Sequence, residues 1–121
     1  MNYKIRNLLY EKDVLGVDVN SNQLVKIHLS ILKKMGVKLK LKDGYVYASI
    51  KNQLKSLDFS LDFPSVGVTH FFLMMTSLAE GKSIIYNAAK EPEVIALAEM
   101  LNKMGAKIKG HGTSTIYIEG V

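Results

Sequence analysis

One nine-residue segment occurs twice, and it constrains the fold more than any other feature of the chain. LKKMGVKLK at 32–40 returns as LNKMGAKIK at 101–109, 69 positions later, and seven of the nine positions are identical or exchange Leu for Ile. In both copies an apolar helical stripe runs into Met-Gly, and lysines then alternate with small or aliphatic residues. Tyr47 and Tyr117 fall in step behind the two copies after a one-residue shift. Glycine tolerates the left-handed conformation that ends a helix, and period-two alternation marks a half-buried strand. The same grammar at two places predicts a duplicated supersecondary unit.

The first copy spells out its elements. Leu24, Ile27, Ile31, Leu32 and Met35 recur at helical spacing, with Lys26, Ser30, Lys33 and Lys34 on the opposite stripe. Gly36 stops that helix. Val37, Leu39 and Leu41 alternate with Lys38, Lys40 and Lys42, Asp43-Gly44 is a hairpin turn, and residues 45–50 return as the partner strand. Residues 1–23 show weak periodicity and mixed charge, and no element is assigned to them.

The second copy has a longer lead. Residues 57–61 alternate as a short strand that Pro64 breaks, and Ser65 is placed to cap a helix running through Phe71, Phe72, Leu73, Met74 and Met75 to Ala79. That helix is apolar almost all round, which predicts deep burial. Gly81 stops it and residues 83–87 read as a strand. Pro92 suits the first turn of the next helix, whose stripe is Val94, Leu97, Ala98, Leu101 and Met104, ended by Gly105. Strands at 106–109 and 115–118 close the unit around a loop containing Gly110 and Gly112. The order β-α-β-α-β-β describes a two-layer α+β fold, a sheet with two helices on one face. The chain then reads as one partial domain of about one and a half such units, incomplete over 1–56 and complete over 57–121.

Composition narrows the function classes. At 121 residues, 48% hydrophobic and 22% charged, the chain has enough apolar surface for a core without staples. The absence of cysteine excludes disulfides, thiolate metal sites and a cysteine nucleophile. His28, His70 and His111 are far apart in sequence and form no metal-ligand spacing, and no cofactor is assigned to the chain. There is no membrane-length apolar run and no signal-peptide pattern, and a soluble, cytoplasmic protein is expected. Sixteen basic against eleven acidic residues give a net charge of +5, which suits an anionic partner. Fifteen of those cations are lysine and one, Arg6, is arginine. Arginine grips phosphate with a planar fork whereas lysine is a mobile point charge, so a self-sufficient site for a doubly anionic substrate is not expected here.

The stretch from Leu61 to Val121 carries a resemblance. PSVG at 64–67, LAEG at 78–81, NAAKEPE at 87–93, LNKMGAKI at 101–108 and IEGV at 118–121 together resemble the enolpyruvyl transferase family, in particular its branch acting on UDP-N-acetylglucosamine in bacterial cell-wall (peptidoglycan) synthesis. The likeness continues more weakly upstream through HLSILKKMG at 28–36 and DGYVYAS at 43–49. It implies an inside-out barrel built of β-α-β-α-β-β units. It also implies transfer of the enolpyruvyl group of phosphoenolpyruvate to the UDP-sugar, without a metal, in a cleft between two lobes. It covers nearly all of this chain but only part of one lobe, so a truncated or inactive member is expected rather than a compact enzyme.

By the same resemblance, Ser65, Val66 and Gly67 fall on the family's stretch that contacts the UDP moiety. Physical chemistry agrees, because a helix start offers unpaired N–H groups and the positive end of a dipole to a diphosphate; an ordinary serine cap with a packing glycine is the alternative. Counting back from His28 places Asp18 where the family carries its catalytic Cys or Asp proton donor, and Gln23 where it carries a substrate-contacting arginine. Around them Val17 replaces a loop glycine, Leu24 a proline and Lys26 an acidic residue. Asp18 therefore has two readings, a general acid and a solvated loop aspartate.

The remaining features have plain readings beside sharper ones. His28 lies on the apolar face of its helix. His70, within the first turn or so of its helix, has two readings, a residue near bound phosphate and, more plainly, a polar residue near a helix start. His111, between glycines, is expected as an exposed turn residue. Lys42 beside Tyr45 and Lys40 beside Tyr47 on the outer side of a hairpin imitate a base-stacking, phosphate-binding surface, though lysine stems resting on tyrosine rings account for them more simply. Three functions follow in order of support: a partial enolpyruvyl transferase keeping some UDP-sugar surface; a non-catalytic module completed as a homodimer or by a complementary transferase chain; and an RNA-binding domain.

Overall fold

A computed structural model describes residues 3–11, 23–43 and 45–120. It divides the chain into two compact units, Met1–Gln53 and Leu54–Val121.

The first unit runs β1 (Tyr3–Glu11), α1 (Gln23–Lys34), β2 (Lys38–Lys42) and β3 (Tyr45–Ile50). Its sheet has the order β1-β3-β2, antiparallel throughout. Asp43 takes the positive φ of 53° that the hairpin requires. The helix buries Val25, which clusters with Val46 and with the half-buried Leu29 and Leu39. Lys26, Lys33 and Lys34 lie on its exposed side. Strand β1 is the element that periodicity misses. Tyr3 to Arg6 pair in regular register with Ile50 to Tyr47, and the register then breaks before Glu11 meets Tyr45. The break falls where the alternation of the sequence breaks, at Asn-Leu-Leu. The strand owes its existence to β3, a partner some forty residues away that no local pattern reveals.

The second unit has all six elements: β4 (Asp58–Ser60), α2 (Val66–Ser77), β5 (Lys82–Tyr86), α3 (Pro92–Lys103), β6 (Lys107–Lys109) and β7 (Thr115–Glu119). The sheet order is β4-β5-β7-β6, with β4 parallel to β5 and the other pairs antiparallel. Its inner face supplies Leu61, Ile85, Ile108, Ile116 and Ile118, and the helices answer with Val68, Phe72, Leu73, Val94 and Ala98, all buried. Phe59 stacks near Phe72, ring centroids 6.4 Å apart. Tyr86 and Tyr117 stand on the outer face. This is the α+β, two-layer unit read from the sequence.

Two expectations about burial need correction. Helix α2 is not covered all round: Met74 is 45% exposed and Leu78, its C-cap, 58%. Periodicity puts Met104 on the apolar stripe of α3, yet as the C-cap of that helix it is 72% exposed, with Met100 at 52%. Apolar character marks a face that gains by burial, but only neighbouring atoms bury it.

The C-terminal end of β7 is tied by backbone to the turn between α2 and β5. The Gly120 N–H donates to the Gly81 carbonyl at 3.1 Å. A Cβ at Gly120 would overlap the carbonyl of Ala79, so glycine is required there by close backbone approach.

Candidate functional site

The residues singled out by PSVG and NAAKEPE form one continuous piece of the second unit. Ser65 has extended dihedrals (φ −135°, ψ 124°), and its Oγ accepts the Val68 N–H at 3.3 Å, as an N-cap should. The N–H groups of Val66 and Gly67 precede the first intrahelical bond and belong to the turn that has no helical acceptors. Gly67 is exposed, and apart from its chain neighbours and the backbone of its own helix nothing lies within 4 Å of where its Cβ would be. The helix start is thus open at Gly67, with Ser65 and Val66 half-buried behind it, and it carries the free donors and positive dipole end of a first turn.

Beside it lies the turn that follows β5. Asn87 adopts φ 61°, and its Nδ2 donates to the Leu61 carbonyl at 3.0 Å. The Ala88 N–H donates to the Ser114 carbonyl at 2.9 Å. The Ala89 N–H donates to Oγ1 of Thr69 at 3.1 Å, and that hydroxyl in turn donates to the Ser65 carbonyl at 2.7 Å. Thr69, Ala88 and Ala89 are buried. Lys90 then emerges exposed, with its N–H on Glu91 Oε1 at 3.3 Å. Chemically, the arrangement offers an outward helix start and, on a pinned turn beside it, a lysine.

Thus Ser65, Val66 and Gly67 are brought together at one helix start, the cap formed as expected. Asp18 lies outside the described residues. Gln23 is the first residue of α1 in the other unit. His70 sits in the second turn of α2, half-buried, its Nε2 shielded from solvent and without a hydrogen bond. His111 departs from the expected exposed turn residue: it is half-buried and its Nδ1 is shielded and unpartnered. In the same loop the Thr113 hydroxyl shares its one proton between the carbonyls of Gly110 and Thr115, at 2.7 and 2.9 Å. Among the described residues no three His, Asp or Glu side chains gather as a metal-binding group, and no helix is long and apolar enough to cross a membrane. On the hairpin, Lys40 pairs with Tyr47 and Lys42 with Tyr45, the register read from the turn.

Sequence reasoning passed over Thr69, Asn87 and Asn102. Only Asn87 carried a local signal, since asparagine tolerates a left-handed turn position. Thr69 looked like one more residue of an apolar helix.

Comparison with known proteins bears on the same stretch. The family model for EPSP synthase (3-phosphoshikimate 1-carboxyvinyltransferase) matches residues 25–121. The chain is 54% identical over 97 residues to the UDP-N-acetylglucosamine 1-carboxyvinyltransferase of Endomicrobium trichonymphae. It is 46% identical over 97 residues to UDP-N-acetylglucosamine 1-carboxyvinyltransferase 1 of Staphylococcus aureus strain N315. Both matches span 80% of this chain and 23% of the relative, so the chain is far shorter than the proteins it matches. Among solved structures, the enolpyruvyl transferase NikO from Streptomyces tendae matches with a TM-score of 0.74 at 18% identity, over 98% of this chain and 27% of that one. An EPSP synthase from Acinetobacter baumannii matches with a TM-score of 0.63 at 24% identity, over 79% of this chain and 22% of its own. At those identities the solved structures speak for the fold.

Proposed function

Because the chain belongs to the EPSP synthase family of enolpyruvyl transferases, we propose that it is a UDP-N-acetylglucosamine 1-carboxyvinyltransferase-like protein that keeps part of the UDP-sugar contact surface. The observation that carries this reading is the open helix start at Ser65, Val66 and Gly67, capped on its inner side and clear of neighbours at Gly67. Backbone donors and a helix dipole recognise a diphosphate without arginine, which suits a chain that has one. The identity of 54% and 46% to transferases of that name supports the choice of sugar nucleotide over other anions.

The share of the reaction assigned to this chain is holding the acceptor, not proton transfer. Enolpyruvyl transfer joins the sugar hydroxyl oxygen to the carbon of phosphoenolpyruvate that bears the phosphate, and releases phosphate. The charge that develops needs preorganised cations and a general acid. The described residues of the second unit present lysines and no arginine, and Asp18 retains both of its readings. The 121 residues alone are expected to bind without turnover.

Calorimetric titration with UDP-N-acetylglucosamine tests the proposal. Binding, with a ligand-dependent rise in melting temperature by mass action, supports it; silence in both measurements removes it. Release of phosphate from phosphoenolpyruvate at an enzymatic pace, lost in Asp18→Ala, would overturn the non-catalytic half.

A second reading has its own observation. Met74 and Met100, on the two helices of one unit, and Leu78 and Met104, the C-caps of those helices, are large apolar residues left exposed. Exposed apolar side chains of this size are what self-association would cover, and a homodimeric module is the function they favour.

A further inference from the structure

We infer that Thr69 is a positioning residue for the ligand site, holding the Asn87–Lys90 turn against the first turn of α2 so that Lys90 stands as countercharge to the ligand's phosphates. This rests on the UDP-sugar reading above and deepens it.

The geometry is that of a two-way tie. A threonine hydroxyl has one proton and two lone pairs. At Thr69 the proton goes to the Ser65 carbonyl at 2.7 Å, and a lone pair accepts the Ala89 N–H at 3.1 Å. Ser65 is the cap of the helix whose start faces the ligand, and Ala89 immediately precedes Lys90. One buried oxygen therefore links the donor end of the site to the turn that carries its cation. Bonding to the carbonyl four residues back is ordinary for a helical threonine. Thr76 does the same with Phe72 at 2.7 Å, and Ser77 with Leu73 at 2.6 Å. Thr69 alone among these three is given a second bond, and that bond leaves the helix.

The rest of the turn is also fixed. Asn87 and Ala88 anchor to Leu61 and Ser114, so three successive residues are each held by a different part of the unit. Buried amides such as those of Ala88 and Ala89 must find acceptors, and here the acceptor of Ala89 is the side chain of a residue in the first turn or so of α2. Lys90, directly after the third anchor, is exposed, and in a chain with a single arginine the phosphate countercharge falls to lysine.

The test is a double-mutant cycle read by calorimetric titration with UDP-N-acetylglucosamine. Thr69→Val keeps the shape and removes both bonds; Lys90→Ala removes the charge. Each is expected to weaken binding about tenfold, the scale of one charge-assisted hydrogen bond. The double variant should be no weaker than the weaker single, because a mispositioned lysine and a missing one are the same loss. Thr69→Ser, which retains the hydroxyl, should restore affinity, and amide exchange at Ala89 should quicken in the valine variant and not in the serine one. Should Thr69→Val fail to fold, Asn87→Gly gives the second measurement: glycine accepts the φ of 61°, and only the anchor to Leu61 is lost. It too should weaken binding without further loss on Lys90→Ala. Losses that multiply in the cycle, or Thr69→Val binding like the wild type, overturn the positioning role while leaving the UDP-sugar reading in place. A wild-type chain that does not bind the sugar nucleotide overturns both.

Discussion

Tyr47 and Tyr117 occupy the same place in two different sheets: Lys40 is the cross-strand partner of Tyr47 on β2–β3, and Lys109 is that of Tyr117 on β6–β7. The correspondence extends to the third strand, with Arg6 opposite Tyr47 and Ile84 opposite Tyr117, both antiparallel. It extends into the helix ends as well. Gly36 N–H bonds Lys33 and Val37 N–H bonds Leu32, as Gly105 bonds Asn102 and Ala106 bonds Leu101, at 3.0 to 3.1 Å. These are two Schellman caps with the same bond pattern. Four elements of the first unit thus repeat the last four of the second, and the duplication is structural as well as textual.

Gly36 and Gly105 hold these caps at φ 97° and 111°, a region that side chains with a Cβ enter at a cost. Gly105→Ala is expected to lose about 1 kcal/mol, and Gly36→Ala a similar amount. Urea melts read by circular dichroism check this. An alanine at either position that leaves the midpoint unmoved would show that the cap relaxes at no expense.

The copies differ at Asn102, where the first unit has Lys33. The Asn102 side chain accepts the Ile108 N–H at 2.7 Å and donates to the Ile108 carbonyl at 3.1 Å, fastening the edge strand β6 to α3. Asn102→Ala should cost about 1–3 kcal/mol, because both backbone groups of a buried residue lose their partner. Amide exchange at Ile108 is the direct measurement, and it should accelerate more than exchange at Ile116 in the central strand β7.

Gly67 separates binding from folding. Its Cβ position is open, so Gly67→Ala should leave the melting temperature unchanged or raise it, with a gain of at most about 1 kcal/mol in stability, the advantage of alanine over glycine within a helix. The same methyl would stand on the ligand's side of the helix start. Affinity for UDP-N-acetylglucosamine should therefore fall while stability does not. Equal affinity in the two proteins would move the ligand away from this helix.

Met100 and Met104 bear on the oligomeric state. If the exposed helical face mediates self-association, light scattering should give a mass near twice 13.5 kDa, and Met100→Lys with Met104→Lys should return it to the monomer value. Both side chains are largely in solvent within the chain, at 52% and 72% exposure, so the double variant should fold with its melting temperature little changed. A wild-type monomer would leave this face without the role assigned to it.

The amino-acid sequence by itself determined the features whose causes are local. The two glycine caps, the Asp43 hairpin, the Ser65 N-cap and the lysine-out, aliphatic-in strands were legible because each depends on dihedral preference or on contacts a few residues apart. Tertiary structure decided whatever requires two distant segments to meet. Strand β1 exists through β3. Met35 is fully buried while Met104, its counterpart in the repeat, is 72% exposed, although their helix ends make the same backbone bonds. Thr69 became a tie between the helix start and the Lys90 turn only because folding set Ala89 beside it. Periodicity tells which face of an element gains by burial. Which atoms cover that face, and which polar groups find partners across it, is settled where the elements pack.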